Sequence, residues 1–317
     1  MTNEKLVIGS RGSKLALWQT NHIADELRAH FNLDIEIKTI KTQGDKILDT
    51  PLAKIGGKGL FVKEIENALT AGEIDLAVHS MKDVPTELPD GLGIAAMTVR
   101  ADPRDVLISK NNVSLKDLPQ GAVIGTSSLR RQSQLLNFRP DFKMVDVRGN
   151  LDTRLRKIAD GEFDAIILAA AGIDRLGFSD MITERIPSEL MISAVGQGSI
   201  GIEIRMDDAR TAEYIKILND PATFSAITAE RGLMAQLQGG CQVPIGAIGR
   251  IIDGELRLDG IVASLDGKEI YKDKLTGDPA DAQALGFRLA TLLADAGADA
   301  ILADIRATFE VEDGIGV

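Results

Sequence analysis

Arginines placed at strand-to-helix turns are the first residues of this sequence able to do chemistry. Gly9-Ser10-Arg11-Gly12-Ser13 follows the apolar run Leu6-Val7-Ile8, and Thr126-Ser127-Ser128-Leu129-Arg130-Arg131 stands in the same place after Val123-Ile124-Gly125. A helix start leaves about four backbone N–H groups free and carries partial positive charge, so it attracts anions. Hydroxyls there can also act as plain N-caps, which accounts for the serines and leaves the arginines unexplained. Arg148-Gly149-Asn150-Leu151-Asp152-Thr153-Arg154 is a third such turn, with Leu151, Leu155 and Ile158 as the buried stripe of the helix that follows. Open α/β sheets bind ligands at the C-terminal ends of their strands. Arginine suits planar, bidentate capture of carboxylates, so the expected ligand carries several negative groups.

A different set of groups crowds the turn His79-Ser80-Met81-Lys82-Asp83-Val84-Pro85. Pro85 keeps a helix from absorbing them. Asp83 there can move protons or stabilise a cation, and Lys82 can bind an anion; the alternative is a surface turn with His79 satisfied in the core. Residues 42–59 are long, polar and glycine-rich, with Lys54 and Lys58 flanking Gly56-Gly57, and read as a mobile lid. Gly196-Gln197-Gly198-Ser199-Ile200-Gly201 spells the dinucleotide fingerprint. The next residues, Ile202-Glu203-Ile204, alternate as a strand, whereas the fingerprint must open a helix, so a hinge is expected and a nicotinamide cofactor is rejected. In Gln238-Gly239-Gly240-Cys241-Gln242-Val243-Pro244 two glycines uncrowd the thiol. A lone cysteine is usually a small buried hydrophobe; this setting favours a nucleophile or an attachment point.

These turns need a scaffold, and hydrophobic periodicity supplies one. Residues 5–8, 35–40 and 74–78 read as strands and 15–27 and 60–69 as helices, an α/β alternation that favours parallel pairing with helical crossovers. The pattern repeats. Val7-Ile8-Gly9-Ser10 is answered by Val123-Ile124-Gly125-Thr126, and Gly72-Glu73-Ile74-Asp75 by Gly161-Glu162-Phe163-Asp164, which predicts two similar lobes. Residues 98–103 and 193–198 are the candidate crossings between them. Beyond, a strand at 201–205 and a helix at 211–218 precede the break Asn219-Asp220-Pro221, after which helices at 222–236 and 281–295 and strands at 245–252 and 255–262 make a further small α/β domain.

Composition narrows the function. The 317 residues, 44% apolar and 26% charged, suit a folded protein of two or three domains. A net charge of −11 with twelve aromatic residues argues against a general nucleic-acid binder. Residues 1–206 carry 26 basic and 28 acidic side chains against 10 and 19 in 207–317, so the arginine turns lie in the less acidic part. One cysteine excludes an internal disulfide, and with three histidines it offers no zinc-ligand spacing. No apolar run reaches the roughly 18 residues of a membrane span. The first residues read as a strand rather than an export signal, and a reducing cytoplasm is expected.

Together these stretches resemble the porphobilinogen deaminase family, also called hydroxymethylbilane synthases. The resemblance runs over nearly the whole chain: Ile8-Gly9-Ser10-Arg11, the turn from His79 to Pro85, Gly125-Thr126-Ser127-Ser128-Leu129-Arg130-Arg131, Val147-Arg148-Gly149-Asn150, Asp152-Thr153-Arg154-Leu155, Ala194-Val195-Gly196-Gln197-Gly198 and Gly239-Gly240-Cys241. Order and spacing make the joint signal specific. The resemblance implies an α/β fold of two lobes like those of periplasmic binding proteins, with mixed, mainly parallel sheets, plus a small C-terminal α/β domain. Its parts would be lobe 1 at 1–98 and 199–218, lobe 2 at 104–193, and a cofactor-anchoring domain at 221–317.

The resemblance also implies one dipyrromethane cofactor, joined to Cys241 by a thioether. Four porphobilinogen molecules would be added to it head to tail, each losing ammonia, before water releases the linear tetrapyrrole hydroxymethylbilane. Asp83 would be the catalytic carboxylate. Ser80, Lys82, Asp83, Thr126, Ser128, Arg130 and Arg131 would hold the cofactor, and Arg11, Ser13, Gln19, Arg148, Arg154, Arg175 and Gln197 the substrate. Lys54 and Lys58 would belong to the lid, and no metal is implied. Ile204 stands where some relatives have a second cysteine, which leaves Cys241 as the anchor. A monomeric, cytoplasmic transferase of haem biosynthesis, with neither nucleic-acid nor membrane partner, is the expectation. A two-lobed solute-binding module would use the same arginine turns but gives Cys241 and the acidic last third no role; a phosphate-ester transferase is the weaker rival.

Overall fold

The computed structural model describes residues 4–46, 59–147, 149–240 and 243–313. Along the chain come β1 (Glu4–Ser10), α1 (Lys14–His30), β2 (Leu33–Thr39), α2 (Gln43–Lys46), α3 (Lys63–Thr70), β3 (Leu76–Ser80) and β4 (Leu92–Met97). Next are β5 (Asp105–Ser109), β6 (Val123–Gly125), α4 (Leu129–Phe138), β7 (Lys143–Val145), α5 (Leu151–Ala159), β8 (Ala165–Ala169), α6 (Ala170–Arg175) and β9 (Glu184–Arg185). The remainder holds β10 (Ile200–Arg205), α7 (Ala209–Ile215), α8 (Pro221–Gln236), β11 (Ile245–Ile252), β12 (Glu255–Ala263), β13 (Ile270–Gly277), α9 (Ala282–Leu293) and α10 (Asp299–Asp313).

Two compact units result. Among the described residues the first comprises 4–46, 59–101 and 198–224. Its five-stranded sheet has the order β2-β1-β3-β10-β4, with β1 parallel to β2 and β3, and β10 antiparallel to both β3 and β4. Four strands therefore point one way and β10 the other. Ile23, Ala24 and Leu27 of α1 cover one face, against Leu6, Ile8, Leu76 and Val78. Ile65, Ala68 and Leu69 of α3 cover the other, against Ile74 and Ala77. Each fully buried Ile or Leu contributes about 1.5–3 kcal/mol, so these stripes hold the helices on the sheet.

Among the described residues the second unit comprises 102–197 and 225–313, apart from 148, 241 and 242. Its five-stranded sheet, β7-β6-β8-β5-β9, is again mixed: β6 runs parallel to β7 and β8, and β5 antiparallel to β8 and β9. Leu135 of α4 packs on one face with Leu107, Ile124 and Ile167. Leu155 and Ile158 of α5 pack on the other with Ile108, Ile166 and Leu168. The same unit holds an antiparallel sheet of order β11-β12-β13, whose Leu256, Leu258 and Val262 are covered by Leu233, Leu285, Leu289 and Leu302.

The echo in the sequence is an echo in structure. Gly72 and Gly161, both at positive φ, end α3 and α5. Three residues later Asp75 Oδ2 accepts the Val7 N–H at 2.7 Å, and Asp164 Oδ2 accepts the Val123 N–H at 2.8 Å. Gly9 lies so close to Ile74 that a Cβ would come within 2.3 Å of its Cδ1; a Cβ on Gly125 would meet Ile166 at 2.9 Å and Phe163 at 3.3 Å. Because Asp75 occupies the Val7 N–H, the β1/β3 ladder starts at Ile8 opposite Leu76, two residues beyond the strand start expected at 74. The helix expected from 60 starts at Lys63, after a turn containing Gly59 at positive φ. Pattern reading missed β13, an edge strand with the charged run Lys272-Asp273-Lys274 exposed, and α10.

Candidate active site

In the first unit β1 and β3 lie side by side in parallel, so their exits open at the same edge of the sheet. The β1 exit leads into Arg11 and Ser13, and Ser13 caps α1, its Oγ accepting the Ala16 N–H at 3.2 Å. One turn on, the buried Gln19 donates from Nε2 to Ser80 Oγ at 2.8 Å, tying α1 to the β3 exit. The chain then makes a tight turn, Met81–Asp83, in which Met81 is buried while Lys82 and Asp83 face outward. Arg11, Ser13, Gln19, Ser80 and Asp83, all expected site residues, line one cavity of about 60 Å³ with Phe61 and His79.

Arg11 is already engaged. Its guanidinium pairs with Asp45, Nη2 to Oδ1 at 2.5 Å, and sits 4.2 Å over the Phe61 ring. Burial pushes the Asp45 carboxyl up, but hydrogen bonds from Arg11 and Thr42 outweigh it and hold the group below the ordinary aspartate range. Asp45 and Phe61 are site residues the sequence did not single out; a lone aromatic just after Gly59 was the available signal. His79 takes the core alternative: it is 5% exposed, and its Nε2 donates to the buried Glu203 of β10 at 2.8 Å.

The second unit gathers a separate set. Asp105, fully buried at the start of β5, accepts from Arg130 Nη1 at 2.8 Å and from Arg131 Nε at 2.9 Å. Gln197 Nε2 adds a third donor at 3.1 Å. Arg130 and Arg131 also donate to the carbonyls of Ile192 and Ile167. Burial acts to raise the Asp105 carboxyl, yet the charges of Arg130 and Arg131 hold it well below the usual range. Burial in turn lowers the Arg131 guanidinium, against the opposing pull of Asp105. Thr126 is buried, its Oγ1 accepting the Ser128 N–H at 3.3 Å, and Ser128 stands at the N-cap of α4 without a side-chain cap bond.

Arg154 and Arg175 stand outside that cluster. Asn150 caps α5 through Oδ1 and the Thr153 N–H at 3.1 Å, and Arg154 Nε donates to the Gly149 carbonyl at 3.0 Å. Arg175 ends α6, where burial pushes its guanidinium down to about 10, still charged at neutral pH. Arg148, Cys241, Lys54 and Lys58 lie outside the described residues. Asp105 was missed because it lies just beyond the crossing expected at 98–103, and its partners are 25 and 26 residues away. Among the described residues no helix is long and apolar enough to cross a membrane.

Comparison with known proteins bears on the whole chain. Residues 6–213 match the family model described as porphobilinogen deaminase, dipyromethane cofactor binding domain, and residues 224–295 match the porphobilinogen deaminase C-terminal domain. The porphobilinogen deaminase of Trichlorobacter lovleyi is 54% identical over 306 residues, covering 96% of this chain and 98% of its own. That of Chlorobaculum tepidum is 54% identical over 309 residues, covering 96% and 99%. Among solved structures, an amino acid ABC transporter substrate-binding protein of Streptococcus pneumoniae aligns with 68% of this chain and 86% of its own at 12% identity and a TM-score of 0.35, a distant likeness only. By the matched models and by relatives that share more than half its residues, the chain belongs to the porphobilinogen deaminase family.

Proposed function

We propose that Asp83 is the carboxylate at which this chain, an enzyme of tetrapyrrole biosynthesis, deaminates porphobilinogen and joins it head to tail into hydroxymethylbilane. The observation that carries this reading is the single cavity shared by the outward-facing Asp83 and by Arg11, Ser13, Gln19 and Ser80. Porphobilinogen brings an aminomethyl group and two carboxylates. Loss of ammonia leaves a delocalised cation, which Asp83 stabilises. The same carboxylate helps move protons to the departing amine and from the attacked ring carbon. Arg11 then exchanges one anion for another, releasing Asp45 to hold a substrate carboxylate in the same bidentate manner. Lys82 adds a second cation beside Asp83.

The dipyrromethane cofactor supplies the primer on which the product grows. The second unit suits such a group by charge: Arg130 and Arg131 set two guanidiniums against the one carboxylate of Asp105, leaving positive charge for the cofactor's own carboxylates. The hydroxyls of Thr126 and Ser128 stand at the same turn. Arg148, Arg154, Arg175 and Gln197 complete the reading as substrate contacts, Cys241 as the thioether anchor, and Lys54 and Lys58 as parts of a lid. We read the chain as three parts, 1–98 with 199–218, 104–193 and 221–317. We read the enzyme as monomeric and cytoplasmic, with no nucleic-acid partner, in keeping with a net charge of −11.

Intact-protein mass spectrometry tests the anchor. An excess equal to two pyrrole units is expected on the native chain and is expected to vanish in Cys241→Ser, together with ammonia release from porphobilinogen. Active protein with the mass of the bare chain contradicts it.

A further inference from the structure

Beneath the cavity wall lies a group of titratable side chains that the reaction as described does not use. His79 and Glu203 are 5% and 0% exposed, joined at 2.8 Å, and the second carboxylate oxygen of Glu203, Oε1, has no hydrogen-bond partner among the described residues. Glu66 of α3, 8% exposed, presses onto the same face of the sheet. Burial first, then the charge of Glu203, raises the Glu66 carboxyl against the opposing effect of His79. Two buried carboxylates beside one imidazole, one of them with an oxygen that no donor among the described residues meets, are costly to keep in a hydrophobic sheet face.

The second sheet shows that the fold does not need them. Strand pairing places His79 opposite Gly201 and Ala77 opposite Glu203; in the repeated sheet Leu168 stands opposite Val106 and Ile166 opposite Ile108. Leu168 thus occupies the place of His79, and Ile108 that of Glu203. Counting back from the helix-ending glycines Gly72 and Gly161, Leu155 occupies the place of Glu66. Leu155, Leu168 and Ile108 pack together in one apolar core. An ionisable trio that an apolar trio replaces in a repeat of the same topology is costly to retain, and it lines the cavity of Asp83 through His79.

We infer that Glu66, His79 and Glu203 form a buried proton-sharing cluster that positions the turn bearing Asp83 and compensates the charge developed there. Resting on the cavity's assignment to porphobilinogen, this makes the three positioning residues rather than catalytic ones. His79 immediately precedes Ser80, so its bond to Glu203 fixes the end of β3. A neutral cluster becomes singly negative on losing one proton, at the wall of a cavity in which a cation forms. The other charged groups around it have partners or lie outward. Arg205 is held by the Leu69 and Ile74 carbonyls and by Asp208, Glu64 accepts the Gln43 N–H, and Lys63, Glu4 and Lys5 are exposed; β4 has no titratable residue. Arg11 and Asp83 face it from the cavity side.

The test converts the cluster into its apolar counterpart with Glu66→Leu, His79→Leu and Glu203→Ile together, and separately makes Glu66→Gln. With porphobilinogen, kcat of the triple variant is expected to fall roughly 10- to 100-fold, as for misplaced catalytic groups, with KM changed by about twofold or less and thermal stability kept or raised. Glu66→Gln is expected to shift an apparent pKa of the kcat profile and to remove from the infrared spectrum a protonated-carboxyl band that persists above the ordinary glutamate range. If the triple variant does not fold, Glu66→Gln decides by the same criteria. Folded variants with the parent's kcat, pH profile and carboxyl band overturn the inference. A parent that releases no ammonia from porphobilinogen defeats the assignment of the cavity instead, while the infrared band still decides whether the cluster holds a proton.

Discussion

The sheet β2-β1-β3-β10-β4 and the sheet β7-β6-β8-β5-β9 repeat one spatial order, and each buries a carboxylate on its single reversed strand. The two carboxylates differ in place and in company. Asp105 stands opposite Ala169 at the end of β8, where the first sheet has Ile200 opposite Ser80. It is enclosed by two guanidiniums. Glu203 lies three residues into β10, where the second sheet has Ile108, and its neighbours are an imidazole and another carboxylate. The strand exits differ likewise. After β3 the chain offers Ser80, Lys82 and Asp83; after β8 the matching stretch is Ala169-Ala170-Ala171-Gly172. One topology thus supports two electrostatic designs: the first unit buries carboxylates beside an imidazole, and the second sets two guanidiniums around one carboxylate.

The comparison breaks most visibly at Asp105. Asp105→Ala leaves two buried guanidiniums facing each other, and a loss of about 3–5 kcal/mol is expected as a lowered urea midpoint. Next come the paired glycines. Gly9→Ala and Gly125→Ala each push a methyl into apolar neighbours, and each is expected to cost about 1–3 kcal/mol; a large cost at one position only would weaken the repeat. Ser13→Ala is expected to cost about 1 kcal/mol through the lost cap. Its counterpart Ser128→Ala, which removes no cap bond, is expected to leave the melting temperature of the substrate-free protein nearly unchanged.

Stability against pH separates Asp105 from Glu66 by sign. The Asp105 carboxyl is lowered in the fold, so its contribution is present above the ordinary aspartate range and is lost as pH falls through its folded value. Glu66 is raised above its ordinary 4.5, so it costs stability as pH rises through that window. Urea midpoints measured from pH 4 to 8 are expected to show Glu66→Gln gaining on the parent as pH rises. A constant difference across the range would contradict the raised Glu66.

Much of this was legible in the chain. The matched turns at Val7 and Val123 and at Gly72 and Gly161 announced the repeat because the same short-range bonds, through Asp75 and Asp164, are built in both places. The strand over Ile245–Ile252 follows from its apolar run. The turns carrying Arg11, Ser13 and Asp83 were readable because turn chemistry is local, and the structure brings the three to one cavity. Asp105 and Glu203 were not, since each depends on partners distant in sequence. Ile202-Glu203-Ile204 alternates as though Glu203 faced water, but α3 covers that face of the sheet. The exposed charges of β13 hid a strand whose pairing to β12 requires only its backbone.

The division of labour between the units is tested most directly by Asp83→Asn, assayed for ammonia release from porphobilinogen alongside its circular dichroism spectrum. A loss of roughly 10²- to 10⁴-fold in kcat, with an unchanged spectrum, is the predicted result for a carboxylate that exchanges protons with the substrate. Turnover within about twofold of the parent would contradict it and move the chemistry away from the β3 exit.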